Sequence, residues 1–162
     1  MNKKGFTLVE ILIGLAILAI ISAIAVPSYF SWLPRYRLQT SVRQIYDDMN
    51  MAKSRAVRTN SDIGIEFDTN NENYKIFTDT DQDQVLDGGE TVIGNGKVEN
   101  GVDIIRSTFA ANTYGFNSRG MAAGTTGDIH LTNPIGLFMG VRVNAAGGLS
   151  IISSPDDTLP WP

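Results

Sequence analysis

Cysteine is absent from this 162-residue chain, and histidine occurs once, at His130. Without cysteine there is no disulfide, no thiolate nucleophile and no acceptor for a lipoprotein anchor. A folded domain must then be held by its apolar core or by another clamp, such as a metal ion. The same absence leaves the redox compartment open, because every compartment tolerates it. One histidine supports no Cys-His dyad, and no motif locates a Ser-His-Asp set. His130 lies in an alternating segment and reads as a surface or core residue. The 16 glycines form no phosphate loop and mark turns instead. An excess of basic charge is also missing, with 13 Lys+Arg against 17 Asp+Glu and a formal net charge of −4. General nucleic-acid affinity needs Lys and Arg to displace counterions, so it is not expected, although a local basic patch is not excluded. These absences favour a structural subunit over an enzyme.

What is present is concentrated at the N-terminus. A short basic leader, Met1-Asn2-Lys3-Lys4-Gly5, precedes an apolar run that ends at Pro27. As a helix, residues 6–27 would be about 33 Å long, enough to cross a hydrocarbon core about 30 Å thick. The run holds a single carboxylate, Glu10. A charged carboxylate near the bilayer centre costs roughly 2.5–3.5 kcal/mol or more. Glu10 is close to Gly5, so it would sit at one edge of the span. A cleaved secretory signal would need an apolar stretch of only about 7–15 residues before small residues such as Ala23-Ile24-Ala25. The run here is longer and contains Glu10, and an ordinary uncleaved anchor gives no reason for that carboxylate.

Lys3-Lys4-Gly5-Phe6-Thr7-Leu8-Val9-Glu10 resembles the signal of prepilin-like proteins, the type IV pilins and type II secretion pseudopilins. The resemblance extends to Pro27. It implies cleavage between Gly5 and Phe6 by a prepilin peptidase, and N-methylation of Phe6. It also implies a single pass through the bacterial inner membrane, with the globular domain in the periplasm or on an extracellular filament. Glu10 would serve assembly, pairing with the Phe6 amine of a neighbouring subunit or with its own, four positions away on the helix. Removal of residues 1–5 takes Lys3 and Lys4 with it, leaving 11 basic against 17 acidic side chains. Major pilins commonly close a C-terminal loop with a disulfide, which this chain cannot do.

Beyond Pro27 the helical pattern resumes. Leu38, Val42, Ile45, Met49, Ala52 and Ala56 recur at steps of three and four, the signature of one apolar stripe docked on a sheet. Lys53, Arg55 and Arg58 crowd the last turns, and Asn60 suits a left-handed cap. One helix over residues 7–58 is expected, interrupted near Pro27 and Pro34, since each proline removes a hydrogen bond. From residue 61 the period changes to two. Ile63, Ile65 and Phe67 alternate with polar residues and glycine. Further strands are expected at 74–78, 92–93, 102–106, 114–116, 128–132, 137–143 and 149–153. Asn70-Asn71, Asn95-Gly96, Asn100-Gly101, 124–127 and 145–148 supply the turns. The fold class is α+β: a long N-terminal membrane-spanning helix packed on a small antiparallel sheet or sandwich. Its parts are a leader (1–5), the transmembrane half of the helix (6–27), the amphipathic half (28–60), a β-rich domain (61–154) and an irregular tail (155–162).

Residues 51–60 resemble the helix end of the H-type minor pseudopilins, the GspH/FimT family, while 114–120 and 144–149 are similar to its mid-domain turn and closing hairpin. The function implied is a minor pseudopilin in a filament of pilin-like subunits serving type II secretion. The alternative is a minor pilin of a type IV pilus. Some FimT-like proteins bind DNA through basic residues near that hairpin. Here it reads Asn144-Ala145-Ala146-Gly147-Gly148-Leu149-Ser150, and no Lys or Arg follows Arg142, so no nucleic-acid partner is expected.

One segment points to a metal. In residues 79–90, Asp79, Asp81, Asp83, Asp87 and Glu90 occupy positions 1, 3, 5, 9 and 12 of a twelve-residue loop. Val85 stands at position 7, where an EF-hand loop gives a backbone carbonyl to calcium. Gln84 replaces the usual glycine at position 6, and strands rather than helices flank the segment. The spacing predicts a loop-only Ca2+ site, with an acidic solvated turn as the plainer alternative.

Overall fold

The computed structural model describes residues 5–124 and 126–154, so the expected irregular tail (155–162) and Met1, Asn2, Lys3 and Lys4 lie outside the described residues. The chain forms two units, Met1–Leu33 and Pro34–Pro162. One helix, α1 (Leu8–Thr59), contributes to both.

In the first unit, each large apolar side chain between residues 8 and 26 is 50–78% exposed. An 18-residue window here has a mean hydropathy of 2.7 with nothing buried, so by length and composition the segment is able to cross a membrane. The interruption expected near Pro27 and Pro34 is not found, because α1 runs through both. Each proline removes only one donor, and the hydrogen-bond ladder on either side carries the helix past it.

In the second unit, the six stripe residues are all buried. Full burial of side chains such as Leu38, Ile45 and Met49 contributes roughly 1.5–3 kcal/mol each. Ser41 is buried among them, and its hydroxyl accepts the Glu99 N–H at 2.9 Å. α1 ends where Asn60 takes φ 49°, and the Ser61 N–H reaches back to the Ala56 carbonyl at 3.3 Å.

Eight strands follow: β1 (Asp62–Asp68), β2 (Asn73–Asp79), β3 (Val92–Lys97), β4 (Asp103–Ser107), β5 (Thr113–Phe116), β6 (Gly127–Thr132), β7 (Phe138–Val143) and β8 (Leu149–Ser154). They form two antiparallel sheets, ordered β3-β2-β1-β5 and β4-β6-β7-β8. Ile63, Ile65 and Phe67 from the first sheet, and Ile129, Leu131, Val141 and Val143 from the second, share one core with the helix stripe. Phe109 bridges aromatic neighbours, its ring centroid 4.9 Å from that of Tyr114.

Two expectations about turns separate here. Asp68 shapes the β1–β2 turn by accepting the N–H groups of Asn70 and Asn71 at 3.0 and 3.1 Å. Asn95-Gly96 is not a turn: it lies inside β3, paired with Lys75 and Tyr74. The glycine is there for space. A Cβ at Gly96 would come within 2.0 Å of the Tyr74 ring, which packs across that backbone.

Candidate functional site

At the N-terminus, Gly5 and Phe6 precede α1, and Phe6 is 84% exposed. The Gly5–Phe6 bond, where cleavage is expected, is therefore in open chain, clear of the helix ladder. Glu10 lies in the first turn. Its Oε2 accepts the Thr7 N–H at 2.8 Å and the Thr7 hydroxyl at 3.0 Å, while its own N–H donates to the Thr7 Oγ1 at 3.2 Å. This is a reciprocal capping box, in which two orphan donors of the helix start are satisfied by each other's side chains. Thr7 was missed in the sequence reading, although the Thr-x-x-Glu spacing ahead of an apolar run is the signal that reveals it.

The acidic segment joins β2 to β3. Asp79 is the last residue of β2 and only 3% exposed, whereas Asp81 and Asp83 are exposed. One carboxylate oxygen from each of these three lies within 4.8 Å of the others. Asp87 and Glu90 are not in that group. Asp87 accepts the Gly89 N–H at 2.9 Å, and Glu90 closes the loop by accepting the Thr80 N–H at 2.9 Å. The Val85 side chain is half exposed, and its N–H donates to Asp83 at 2.7 Å.

Asp79 organises the near side of the loop. Its two oxygens accept the N–H groups of Gln82 at 2.7 Å and Gln84 at 3.1 Å. Burial pushes its carboxyl above the ordinary value of 3.8. Those two hydrogen bonds oppose that shift, and Glu90 and Asp62 add to it. Gln84 takes φ 63°, so position 6 adopts the left-handed conformation usually given to glycine. Its side-chain amide donates to the Ala123 carbonyl and holds the loop against the segment after β5. Nothing in the spacing of the acids foretold that latch.

Other ties hold the helix to the sheets. The Tyr74 hydroxyl donates to the Asp48 carboxylate, joining β2 to α1. Lys53 Nζ donates to the Gly147 carbonyl at 2.8 Å in the β7–β8 turn. His130 is fully buried in β6, beside Asp128, which binds Arg142 Nε at 3.0 Å. The described residues therefore offer a loop of clustered carboxylates between β2 and β3 and a capped helix start at Thr7 and Glu10.

The model of the family described as type II transport protein GspH matches residues 41–147. The prokaryotic N-terminal methylation motif matches residues 1–26. The fold is similar to that of the minor pseudopilin EpsH from the type 2 secretion system of Vibrio cholerae. That likeness has 13% identity and a TM-score of 0.54, covering 72% of this chain and 97% of that one. It is also similar to the type IV minor pilin FimU of Pseudomonas aeruginosa strain PAO1. In one crystal form of FimU the identity is 15% and the TM-score 0.58, over 79% of this chain and 94% of that one. In another the TM-score is 0.55, again at 15% identity, over 77% and 97%. At such identities the likeness is one of fold. The family match spans more than half of the sequence, and the chain belongs to the GspH family.

Proposed function

We propose that this GspH-family chain is a minor pseudopilin, a structural subunit drawn from the bacterial inner membrane into a filament that serves type II protein secretion. The observation that carries the reading is the pairing of the methylation motif with a helix whose apolar side chains are bare on every side. Bare surface of that extent needs lipid before assembly and neighbouring helices after it. The partners are other pilin-like subunits and a prepilin peptidase that cuts after Gly5 and leaves N-methylated Phe6. Lys3 and Lys4 hold the leader on the cytoplasmic face by the positive-inside preference.

The test is mass spectrometry of the mature N-terminus from a strain with an active prepilin peptidase. N-methylated Phe6 as the first residue is expected, and an intact leader overturns the reading. A type IV pilus is the second reading, favoured by the likeness to FimU. Deleting the gene separates the two: loss of protein secretion with intact pili supports the first, and loss of pili with normal secretion supports the second.

The acidic loop is proposed as a Ca2+ clamp, standing in for the disulfide this chain lacks. The clustering of Asp79, Asp81 and Asp83 supports it, since hard oxygen donors are what calcium takes.

A further inference from the structure

Between residues 11 and 26 the side chains of α1 are apolar apart from Ser22, and the composition changes at Pro27. Ser28, Tyr29, Phe30, Ser31 and Trp32 follow within little more than one turn. The rings are bare: Tyr29 is 54% exposed, Phe30 67% and Trp32 53%. The Tyr29 ring centroid lies 6.0 Å from that of Phe30 and 6.5 Å from that of Trp32. The Ser31 hydroxyl donates to the Ser28 carbonyl at 2.9 Å, folded back onto the helix. At about 100° per residue, Phe30 stands about 100° to one side of Tyr29 and Trp32 about 60° to the other. The three rings therefore cover about 160° of the circumference within about 4.5 Å of axis. A face made for one partner helix is a stripe along the axis, recurring every three or four residues. This one is a band across it.

We propose that Tyr29, Phe30 and Trp32 form a collar seated in the phospholipid headgroup and carbonyl layer, where it sets the depth of the span. The inference rests on the membrane span of the proposed function and adds where its outer boundary lies. Length places that boundary. From Leu8, the first residue of α1, Tyr29 is about 32 Å along the axis and Trp32 about 36 Å. A hydrocarbon core about 30 Å thick ends just short of Tyr29, and the headgroup layer beyond it is about 5–8 Å deep. The chemistry points to the same layer. Tyr and Trp join an apolar ring to a polar tip, which suits a boundary that is apolar on one side and wet on the other. Deeper in the hydrocarbon the tips would have no water. Farther out, the bare ring area would lie in water as an apolar patch.

The chain has two tryptophans, so Trp161→Phe leaves Trp32 as the sole indole emitter. The full chain with that change is placed in vesicles of phosphatidylethanolamine and phosphatidylglycerol. Each batch also holds phosphatidylcholine brominated either near the top or near the end of its acyl chains. Shallow bromines are expected to quench Trp32 at least twofold more than deep ones. Stronger quenching by the deep bromines, or none by either, overturns the collar. So does quenching that appears only on dilution into excess lipid, because a second copy is then the preferred cover. Flotation of the same vesicles separates the two readings. A chain that stays out of the lipid overturns the span as well, whereas a chain that floats without shallow quenching overturns the collar alone. A second variant asks whether the rings set the depth. Because the chain lacks cysteine, Ser28→Cys introduces a single thiol. Adding Tyr29→Leu, Phe30→Leu and Trp32→Leu lengthens the apolar run, so the thiol is expected to sink and to react at least threefold more slowly with a membrane-impermeant maleimide. An unchanged or faster rate overturns the collar.

Discussion

The N–H and the hydroxyl of Thr7 both donate to one carboxylate oxygen of Glu10, at 2.8 and 3.0 Å. In the single chain, then, the lone carboxylate of the apolar run has a partner three residues away. Phe6 precedes Thr7 directly, so the amine that the proposed cleavage after Gly5 would create stands beside this box. Pairing with a neighbouring subunit's amine would draw the carboxylate away from a bond it already makes, and the gain across the subunit boundary must exceed that loss. This matches the way a buried polar group fixes register, where a mispaired subunit leaves a charge in lipid.

Glu10→Ala and Glu10→Leu are expected to insert into the membrane normally and to be depleted from filaments. Thr7→Val keeps the carboxylate and removes the hydroxyl. A lost helix cap costs about 0.5–2 kcal/mol, so the Thr7 variant should assemble at reduced but measurable levels. Membrane fractionation and sheared-filament yield check both. Normal filament incorporation of either Glu10 variant would end the assembly role.

Calcium is expected to raise the thermal midpoint of the full chain in detergent, increasing with the logarithm of its concentration above Kd. The doubly substituted Asp81→Asn, Asp83→Asn chain should lose that increase. Calorimetry with millimolar calcium and with chelator checks it. Identical midpoints in the two conditions would leave only a solvated acidic turn.

With chelator present, Asp79 should make the fold more stable as the pH falls. Its folded carboxyl sits above the ordinary 3.8, so the folded state binds the proton more tightly than the unfolded one. Stability therefore declines as the pH rises through a window that opens near 3.8 and extends upward to the raised value. Glu72, also raised by burial, contributes with the same sign. Asp79→Asn should flatten the slope in urea midpoints measured across this window, and Glu72→Gln should flatten it in the same sense. A slope unchanged by Asp79→Asn would show that the carboxyl carries no such cost.

Tyr74→Phe leaves the ring in place and deletes the donor to Asp48. A hydrogen bond to a charged group is worth about 1.5–3 kcal/mol, toward the low end for the half-buried Asp48. The urea midpoint should fall accordingly, and Asp48→Asn, which keeps an acceptor, should cost less. Equal stability of Tyr74→Phe and the parent would rule the tie out.

Gly96→Ala should cost more than either. The added Cβ meets the Tyr74 ring at 2.0 Å, and that ring is 2% exposed with no room to yield. Thermal unfolding checks it, and a midpoint within a degree of the parent would contradict the packing.

The helix was legible because its stripe obeys one period from Leu38 to Ala56, and every stripe residue proved to be buried. The strand positions were legible for the same reason, with alternation setting their centres. Asn95-Gly96 misled because the pair has turn chemistry, while the requirement that placed Gly96 there, the Tyr74 ring across β3, is a contact between strands and invisible in a local window. Pro27 and Pro34 misled because local propensity counts the lost bond and not the intact ladder around it. At the acidic loop, the spacing singled out six residues, of which the fold clusters the carboxylates of Asp79, Asp81 and Asp83 and leaves Asp87 and Glu90 outside that group. The latch from Gln84 to Ala123 spans 39 positions and has no local signature.

The membrane half of α1 has no stripe. Between residues 11 and 26 only Ser22 interrupts a surface that is apolar all round, and no side of it is buried. A rod of that kind can turn about its own axis in lipid with almost no change in what it touches. If Glu10 pairs across subunits as expected, that end of the span would be the point in the lipid where its azimuth is keyed. A stack of such rods would be indexed at one level and slippery at the others. It would yield to torsion or tension by rotating its helices in place, while the keyed ends keep count of the subunits.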